Sequence, residues 1–502
     1  MKLKVECTYT KHIEKRKKGD ALVIPFWKNG YAFSSIEGFL PLLEGVLETK
    51  DFKGKEGEVV YLYVEGQPEK RFILLGLGDR DKATVESLRR SYGCCTKSCL
   101  SKQIANINVL IPEQQNIEEK DLIRGVAEGL FLPNYFFHLR TEKEPEESEE
   151  TLLEKVCWIG SQKGKLSQQE VLSIAEKSYC ISQGVNYTRD LVNGNADDIT
   201  PQYLAQCAAA LARENDKITA TILDKKKIEK EKLGLLLAVN RGSARDPVFI
   251  ILEYKGNSSS KNHTVIVGKG VTYDTGGLNL KPTGSMETMK CDMAGAAACL
   301  GTLWAISKLE LPIHVTMVIP STENCIDANS FKPGDVYTSY SGKTVEMTNS
   351  DAEGRLILAD GLAYAVRNLR PTHLIDIATL TGAIEIALGR EAAGLMSNDD
   401  SLSEKLLQAG EITFERLWRM PLFPEYQERL KSDIANLKSW NGRPAGANVA
   451  AMFLKQFVGD IPWAHIDIAS TAYALEPKKY HTKYASGEGV RLLLEFLEQN
   501  EI

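Results

Sequence analysis

Short apolar runs alternate with longer amphipathic stretches along this chain of 502 residues. Ala21–Phe26, Glu58–Val64 and Arg71–Gly78 are rich in β-branched, aromatic and aliphatic residues and predict strands. Glu86–Tyr92 and Ile123–Leu130 read as helical. Thr264–Val267, Val315–Pro320 and Thr372–Ala378 predict buried strands, with helical stretches at Met293–Ser307 and Leu356–Leu369 between them. This alternation predicts an α/β fold with a mostly parallel, helix-covered central sheet. The expected organisation is an N-terminal α/β domain over 1–160, a connecting helix within 161–185 and a larger C-terminal α/β domain over 186–502. Thr141–Glu150, acidic and without an aliphatic or aromatic residue, reads as a solvated loop near the first boundary.

Two polar clusters interrupt the apolar pattern. In Asn349-Ser350-Asp351-Ala352-Glu353-Gly354-Arg355-Leu356, two carboxylates and a guanidinium recur at every second residue. If the segment is extended, all three project to one side. The apolar-periodic stretch behind them places the cluster at a helix N-terminus, where backbone N–H groups favour anions. Acidic residues before a helix ordinarily cap it, but capping does not explain a second acid and an arginine at strict spacing. Upstream, the strand Thr264–Val267 runs into a loop with Gly268, Gly270, Gly276 and Gly277, which carries Lys269, Asp274 and Lys281. Asp292 then precedes the small-residue helix that begins near Met293. Singly, Asp292 reads as a cap, Lys269 as a solvated lysine and Asp274 as turn chemistry. Jointly, two loops after strands carry four carboxylates, two lysines and an arginine, and ligand sites in open α/β sheets lie at strand carboxyl ends.

Carboxylates that converge in a pocket repel one another, and a pair of divalent cations removes the repulsion. The seven histidines, at 12, 138, 263, 314, 373, 465 and 481, all lie outside the two motifs apart from His263 at the start of the upstream segment. The motifs therefore propose mainly oxygen ligands, which suit Mn²⁺ and Mg²⁺ and tolerate Zn²⁺.

The same motifs, with Lys290-Cys291-Asp292-Met293-Ala294-Gly295, resemble those of the leucyl aminopeptidase (cytosol aminopeptidase) family of dinuclear metallo-exopeptidases. The resemblance continues through Arg189–Asn193, Pro333–Val336, Ala378–Gly382, Gly442–Gly446 and Trp463–Ala469. It implies an aminopeptidase that removes N-terminal amino acids from peptides through a two-metal-activated hydroxide, with leucine preferred and broad specificity. It also implies a macro-like N-terminal domain, a catalytic domain over 186–502, two Mn²⁺ or Zn²⁺ ions per subunit, a bicarbonate ion, a homohexamer and a cytoplasmic location. By the same resemblance Asp274 and Glu353 bridge the metals, Lys269 (as a neutral amine) and Asp292 complete the tighter site, and Asp351 completes the exchangeable one. Lys281 stabilises the oxyanion, and Arg355 holds the bicarbonate that acts as base. Met289, Thr379, Gly382, Ala469 and Ala472 would line the first-residue pocket. Ser350, Cys325 and Ser470 depart from the usual Thr, Met and Gly, the last bearing on side-chain preference.

Composition narrows the field further. Hydrophobic content of 43% and charged content of 25% are those of an ordinary soluble protein. A net charge of −6 gives no support to nucleic-acid binding, the rival non-enzymatic role. Another two-metal hydrolase, such as a phosphoesterase, would use the same carboxylates but usually presents more histidine and more cationic phosphate contacts. No run reaches the ~18 apolar residues of a membrane span, and Met1–Glu6 lacks a signal-peptide core. Ten cysteines without a disulfide-framework density suit a reducing cytoplasm. Gly76-Leu77-Gly78 and Ser341–Thr344 each lack the further glycine that a nucleotide-binding loop needs.

Overall fold

The computed structural model describes residues 5–137, 151–257, 259–476 and 480–501. The loop expected at Thr141–Glu150 lies outside the described residues. The chain divides into two compact units, Met1–Gln183 with Glu476–Lys483, and Gly184–Leu475 with Tyr484–Ile502.

In the first unit, strands β1 (Glu6–Thr10), β2 (Ala21–Trp27), β3 (Gly30–Tyr31), β4 (Val59–Tyr63), β5 (Arg71–Gly76), β6 (Asn106–Leu110) and β7 (Lys155–Ile159) form one sheet. Its order is β1-β7-β6-β2-β5-β4, with β3 on β2. The pairs from β1 through β5 are parallel, and β4 and β3 add antiparallel edges. Every residue of β2 is buried, which is why that run carries no polar alternation. Helices α1 (Leu40–Glu48), α2 (Val85–Ser101) and α3 (Glu119–Phe131) follow β3, β5 and β6. A capping box between Thr84 and Ser87 starts α2. Helix α4 spans Gln168–Asn193. It continues eight residues past the end expected at 185, because Leu191 and Val192 extend its buried face.

The second unit is built on nine strands. They are β8 (Ile218–Leu223), β9 (Val248–Lys255), β10 (Thr264–Gly268), β11 (Gly270–Asp274), β12 (His314–Asn324), β15 (His373–Ala378), β16 (Ala393–Ser397), β17 (Leu417–Arg419) and β19 (Trp463–Asp467). Between them in sequence, β13 (Val336–Thr338), β14 (Thr344–Glu346) and β18 (Leu437–Lys438) make a small separate sheet. The main order is β17-β16-β19-β15-β10-β12-β9-β8, with β11 on β12. Its centre, β19-β15-β10-β12, is parallel. The flanks β12-β9-β8 and β16-β19 are antiparallel, so the sheet is mixed at its edges. Helices α5 (Pro201–Glu214), α6 (Lys225–Glu231), α7 (Gly234–Asn240), α8 (Ala294–Leu309), α9 (Glu353–Tyr364), α10 (Gly382–Leu388), α11 (Asp400–Thr413), α12 (Gly446–Lys455) and α13 (Val490–Glu501) complete the unit.

Two helices matter most for the polar clusters. α8 is buried at every residue from Ala294 to Ser307. A Cβ on its Gly295 would run into the Ile377 carbonyl oxygen and approach the Lys269 nitrogen to 3.0 Å. The small residues read from the sequence therefore let the helix lie directly on β10 and β15. α9 is buried from Glu353 to Ala363. Its Asp360 accepts the N–H groups of Leu235, Leu236 and Tyr340 and so caps α7 from a neighbouring helix. Among the described residues no helix is long and apolar enough to cross a membrane.

Candidate metal centre

The polar clusters meet where parallel strands end. Lys269 sits in the single-residue break between β10 and β11, and Asp274 is the last residue of β11. Asp292 lies just before α8, and Asp351 and Glu353 lie at the start of α9. The extended geometry expected for 349–355 is not what forms. Ser350–Ala352 make a 3₁₀ turn and Glu353 begins the α-helix. Asp351 and Glu353 still converge, because a tight turn brings residue i and i+2 near one another at a helix entrance. Carboxylate oxygens of Asp274, Asp351 and Glu353 all lie within 4.8 Å of one another.

Two lysines thread the carboxylates. Lys269 Nζ is 2.8 Å from Asp292 Oδ1 and 2.9 Å from Glu353 Oε1, and it donates to the Thr379 carbonyl at 2.9 Å. Lys281 Nζ is 2.9 Å from Asp274 Oδ2 and 2.5 Å from Asp351 Oδ1. Lys269 is 3% exposed and Asp274 2%, so neither is a surface residue. Asp292 does not cap α8, since the N-cap position is Met293 and makes no side-chain cap. Its Oδ1 instead accepts from Lys269 and from Thr379 Oγ1 at 2.8 Å. Asp274 Oδ1 closes the expected turn onto the Gly276 N–H, and its Oδ2 faces Lys281.

Glycine is required at two points around Lys269 and Asp274. Gly276 and Gly277 adopt φ of +86° and +63°, which L side chains resist. At Gly354, a Cβ would stand 2.6 Å from Lys269 Nζ, so the lysine side chain needs that bare helix turn.

The charge balance follows from these contacts. Counting protein groups alone, four carboxylates, of which Asp274, Asp292 and Glu353 are buried, face two ammonium groups. Burial pushes Asp292 and Asp274 above the ordinary carboxylate range, with neighbouring carboxylates adding to the shift. Burial likewise raises Asp351 to about 6, against the pull of Lys281. Glu353 also feels burial, but Lys269 and Lys281 outweigh it and hold the group low. Burial disfavours the Lys269 ammonium, yet Asp292, Glu353 and Asp274 together raise it above an ordinary lysine. Arg355 is lowered by burial to about 10 and stays cationic at neutral pH. It donates to the Ser439 carbonyl, just beyond β18, at 3.0 Å, while its Nε is buried without a hydrogen-bond partner. Asp292 Oδ2 is a second buried atom without a partner. An excess of buried carboxylate with an unused lone pair fits divalent cations.

Among the candidate pocket residues, Thr379 joins the cluster directly through Asp292. Gly382 opens α10 and is exposed, and Ala469 follows β19. Asp467 ties these two loops together, accepting from Leu380 N at 3.0 Å and Ala469 N at 3.2 Å. Met289 starts the turn that leads to Asp292, whose N–H it accepts at 3.3 Å. Ala472 is buried and donates its N–H to Ile468. Ser470 is also buried, with its hydroxyl directed to the Ala392 carbonyl at 3.3 Å. Ser350 retains the hydroxyl of the usual Thr. It accepts from Asn279 N and donates to the Gly276 carbonyl, both at 2.7 Å, and so joins the two loops.

Asn324 was not foreseen. It is fully buried, and its Nδ2 donates to Asp274 Oδ1 at 2.8 Å and to the Ser350 carbonyl at 3.0 Å. The strand expected to stop at Pro320 continues to Asn324, because Pro320 falls where β10 gives way to β11. Ser321 and Thr322, both compatible with a strand, were the signal.

Replacing Gly354 with alanine should displace Lys269 and weaken Mn²⁺ affinity by about 10- to 100-fold, read by calorimetry, with far-UV circular dichroism unchanged. Proton release on Mn²⁺ binding should also depend on pH. Below about 6 Asp351 carries a proton that a cation must expel, so more protons should be released per ion at pH 5.5 than at pH 8. Calorimetry in buffers of different ionisation enthalpy measures this, and equal release at both pH values would contradict it.

Comparison with known proteins identifies the family. Residues 186–494 match the catalytic domain of the cytosol aminopeptidase family, and residues 34–143 match that family's N-terminal domain. A probable cytosol aminopeptidase of Protochlamydia amoebophila is 62% identical over 499 residues, covering 99% of both chains. Another from Chlamydia felis is 46% identical, covering 97% of both. Among solved structures, a mutant of tomato leucine aminopeptidase superposes with a TM-score of 0.85 at 32% identity, covering 99% of this chain and 97% of that one. The bottromycin maturation enzyme BotP, in complex with Mn, gives a TM-score of 0.84 at 29% identity, covering 96% and 100%. The chain therefore belongs to the cytosol aminopeptidase family and is an aminopeptidase, a hydrolase of peptides.

Proposed function

We propose that this aminopeptidase releases N-terminal residues, leucine preferred within a broad range, using two divalent cations held by Lys269, Asp274, Asp292, Asp351 and Glu353. The observation that carries the proposal is the buried excess of carboxylates around two lysines, with Asp292 Oδ2 left without a partner. Mn²⁺ is favoured by the Mn complex of the related BotP, and Zn²⁺ suits the same donors. When bound, the cations supply Lewis acidity at the scissile carbonyl and a lowered pKa for the attacking water.

The chain's own groups supply the rest. Asp274, paired with Lys281, and Glu353, paired with Lys269, would be shared by the two ions. Lys269 and Asp292 would hold one ion, and Asp351, the most exposed carboxylate, would hold the other. Lys269 ligates only after losing its proton, which cations replacing its ammonium charge would bring about. Lys281 remains an ammonium and stabilises the oxygen that gains negative charge. Arg355, cationic and with an unpartnered Nε, would hold a bicarbonate ion, which would supply a general base. Met289, Thr379, Gly382, Ala469 and Ala472 accept the first side chain. Such a largely apolar set separates neighbouring side chains by only about 1–3 kcal/mol per methylene. The catalytic domain is 186–502, joined through the helical segment 161–185 to an N-terminal macro-like domain over 1–160.

A homohexamer in the cytoplasm completes the proposal. Ile386, Trp418 and Phe423 are 90%, 64% and 57% exposed, apolar surface that assembly would cover. Light scattering should read the mass of six chains, and a stable monomer would remove this part of the proposal.

Chelated protein should hydrolyse leucine p-nitroanilide only after Mn²⁺ is restored, and Glu353→Ala should abolish that activity. Lys281→Ala should lower kcat by about 10²–10³-fold. Equal turnover with and without metal would reject the two-metal proposal.

A further inference from the structure

The opposite edge of the same sheet carries a second group of metal-binding side chains. His263 leads into β10, His314 is the first residue of β12, and Glu253 lies on β9. Register sets them side by side. Thr264 pairs with Val315, His314 with Lys255, and Thr316 with Glu253. Because side chains alternate faces, His263, His314, Lys255, Glu253 and Thr316 share one face, at the amino ends of β10 and β12 and the carboxyl end of the antiparallel β9. From His263 to Lys269 is six residues of strand, about 20 Å at ~3.3 Å each. The two groups are therefore separate sites.

The contacts are close. The two imidazoles stack with centroids 4.0 Å apart and planes 3° from parallel. His314 Nε2 lies 3.0 Å from Glu253 Oε1, and His263 Nε2 lies 2.8 Å from Thr316 Oγ1. One ligand atom from each of His263, His314 and Glu253 falls within 4.8 Å of the others. None of the three is fully exposed: the side chains of His314 and Glu253 are 18% and 31% accessible. Lys255 Nζ, 2.9 Å from Glu253 Oε1, is the competing cation.

We propose that His263, His314 and Glu253 form a second, independent site for one transition-metal ion of the Zn²⁺ class. Two imidazole nitrogens and one carboxylate are three ligands that Zn²⁺ takes readily, leaving a fourth position for solvent. Mg²⁺ and Ca²⁺ prefer all-oxygen sets and would not compete well here. Burial and the neighbouring His314 lower His263 to about 4, so its ring is neutral near pH 7 and has a lone pair to give. Thr316 Oγ1 beside His263 Nε2 is the kind of outer contact that orients a histidine ring. All three ligands stand on or next to paired strands, so little order is lost on binding. The ion would replace the Lys255 ammonium beside Glu253.

Equilibrium dialysis against micromolar Zn²⁺ tests the site. The His263→Asn/His314→Asn double variant should bind one Zn²⁺ fewer per chain than wild type, while its hydrolysis of leucine p-nitroanilide with Mn²⁺ is unchanged. Equal zinc counts would overturn the proposal. If the double variant does not fold, Zn²⁺-soaked wild-type crystals measured at the zinc absorption edge give the answer. An anomalous peak between His263, His314 and Glu253 supports the site, and peaks confined to Lys269–Glu353 overturn it.

Discussion

The second unit depends on gathering four carboxylates in one place, three of them buried. An uncompensated buried charge costs several kcal/mol, so the surrounding chain is arranged to neutralise Asp274, Asp292, Asp351 and Glu353. Lys269 and Lys281 each reach two of them. The remaining imbalance is visible in Asp351, raised to about 6, and in the unpartnered Oδ2 of Asp292. That imbalance is what supports reading the cluster as a candidate cation site rather than a structural ion-pair network. It contrasts with Glu415 nearby in the same unit, which is satisfied by Arg491 and by the N–H groups of Gly489 and Leu492.

Backbone placement serves this cluster throughout. The break at Lys269 lets the lysine leave the sheet between β10 and β11, and Gly295 and Gly354 clear space for its backbone and its side chain. Ser350 and Asn324 join the Asp274 loop to the turn that carries Asp351, so the carboxylates are held from several directions. Asp467 does the same for the loops after β15 and β19. The parallel centre of the sheet brings these strand ends to one edge, as doubly wound sheets do. The amino ends of β10 and β12, with one end of β9, gather His263, His314 and Glu253 at the other edge. The two edges thus offer different donors, oxygen-rich at one and imidazole-rich at the other.

Much of the site was legible in the linear chain because its residues occupy short, glycine-marked motifs. Lys269, Asp274 and Lys281 fall in one loop, and Asp351, Glu353 and Arg355 in one turn. Local spacing was less reliable for conformation. Two-residue spacing suggested an extended strand at 351–355, whereas a 3₁₀ turn runs into a helix there. Asp292 looked like a helix cap because it precedes α8, but its partners are Lys269 and Thr379, 23 and 87 residues away. No local pattern encodes such contacts.

The sequence alone determined the α/β class, the mainly parallel sheet and the residue types of the carboxylate cluster, since periodicity and motif chemistry are local properties. Tertiary structure decided how the charges are shared, which atoms are left without partners and which residues cross-brace the loops. It also decided that β12 runs through Pro320 to bring Asn324 beside Asp274. The stacking of His263 on His314 belongs to the same class, since these residues lie far apart in sequence and meet only through strand register. Electrostatic coupling falls with distance in space, not along the chain, so these features existed only once the strands had paired.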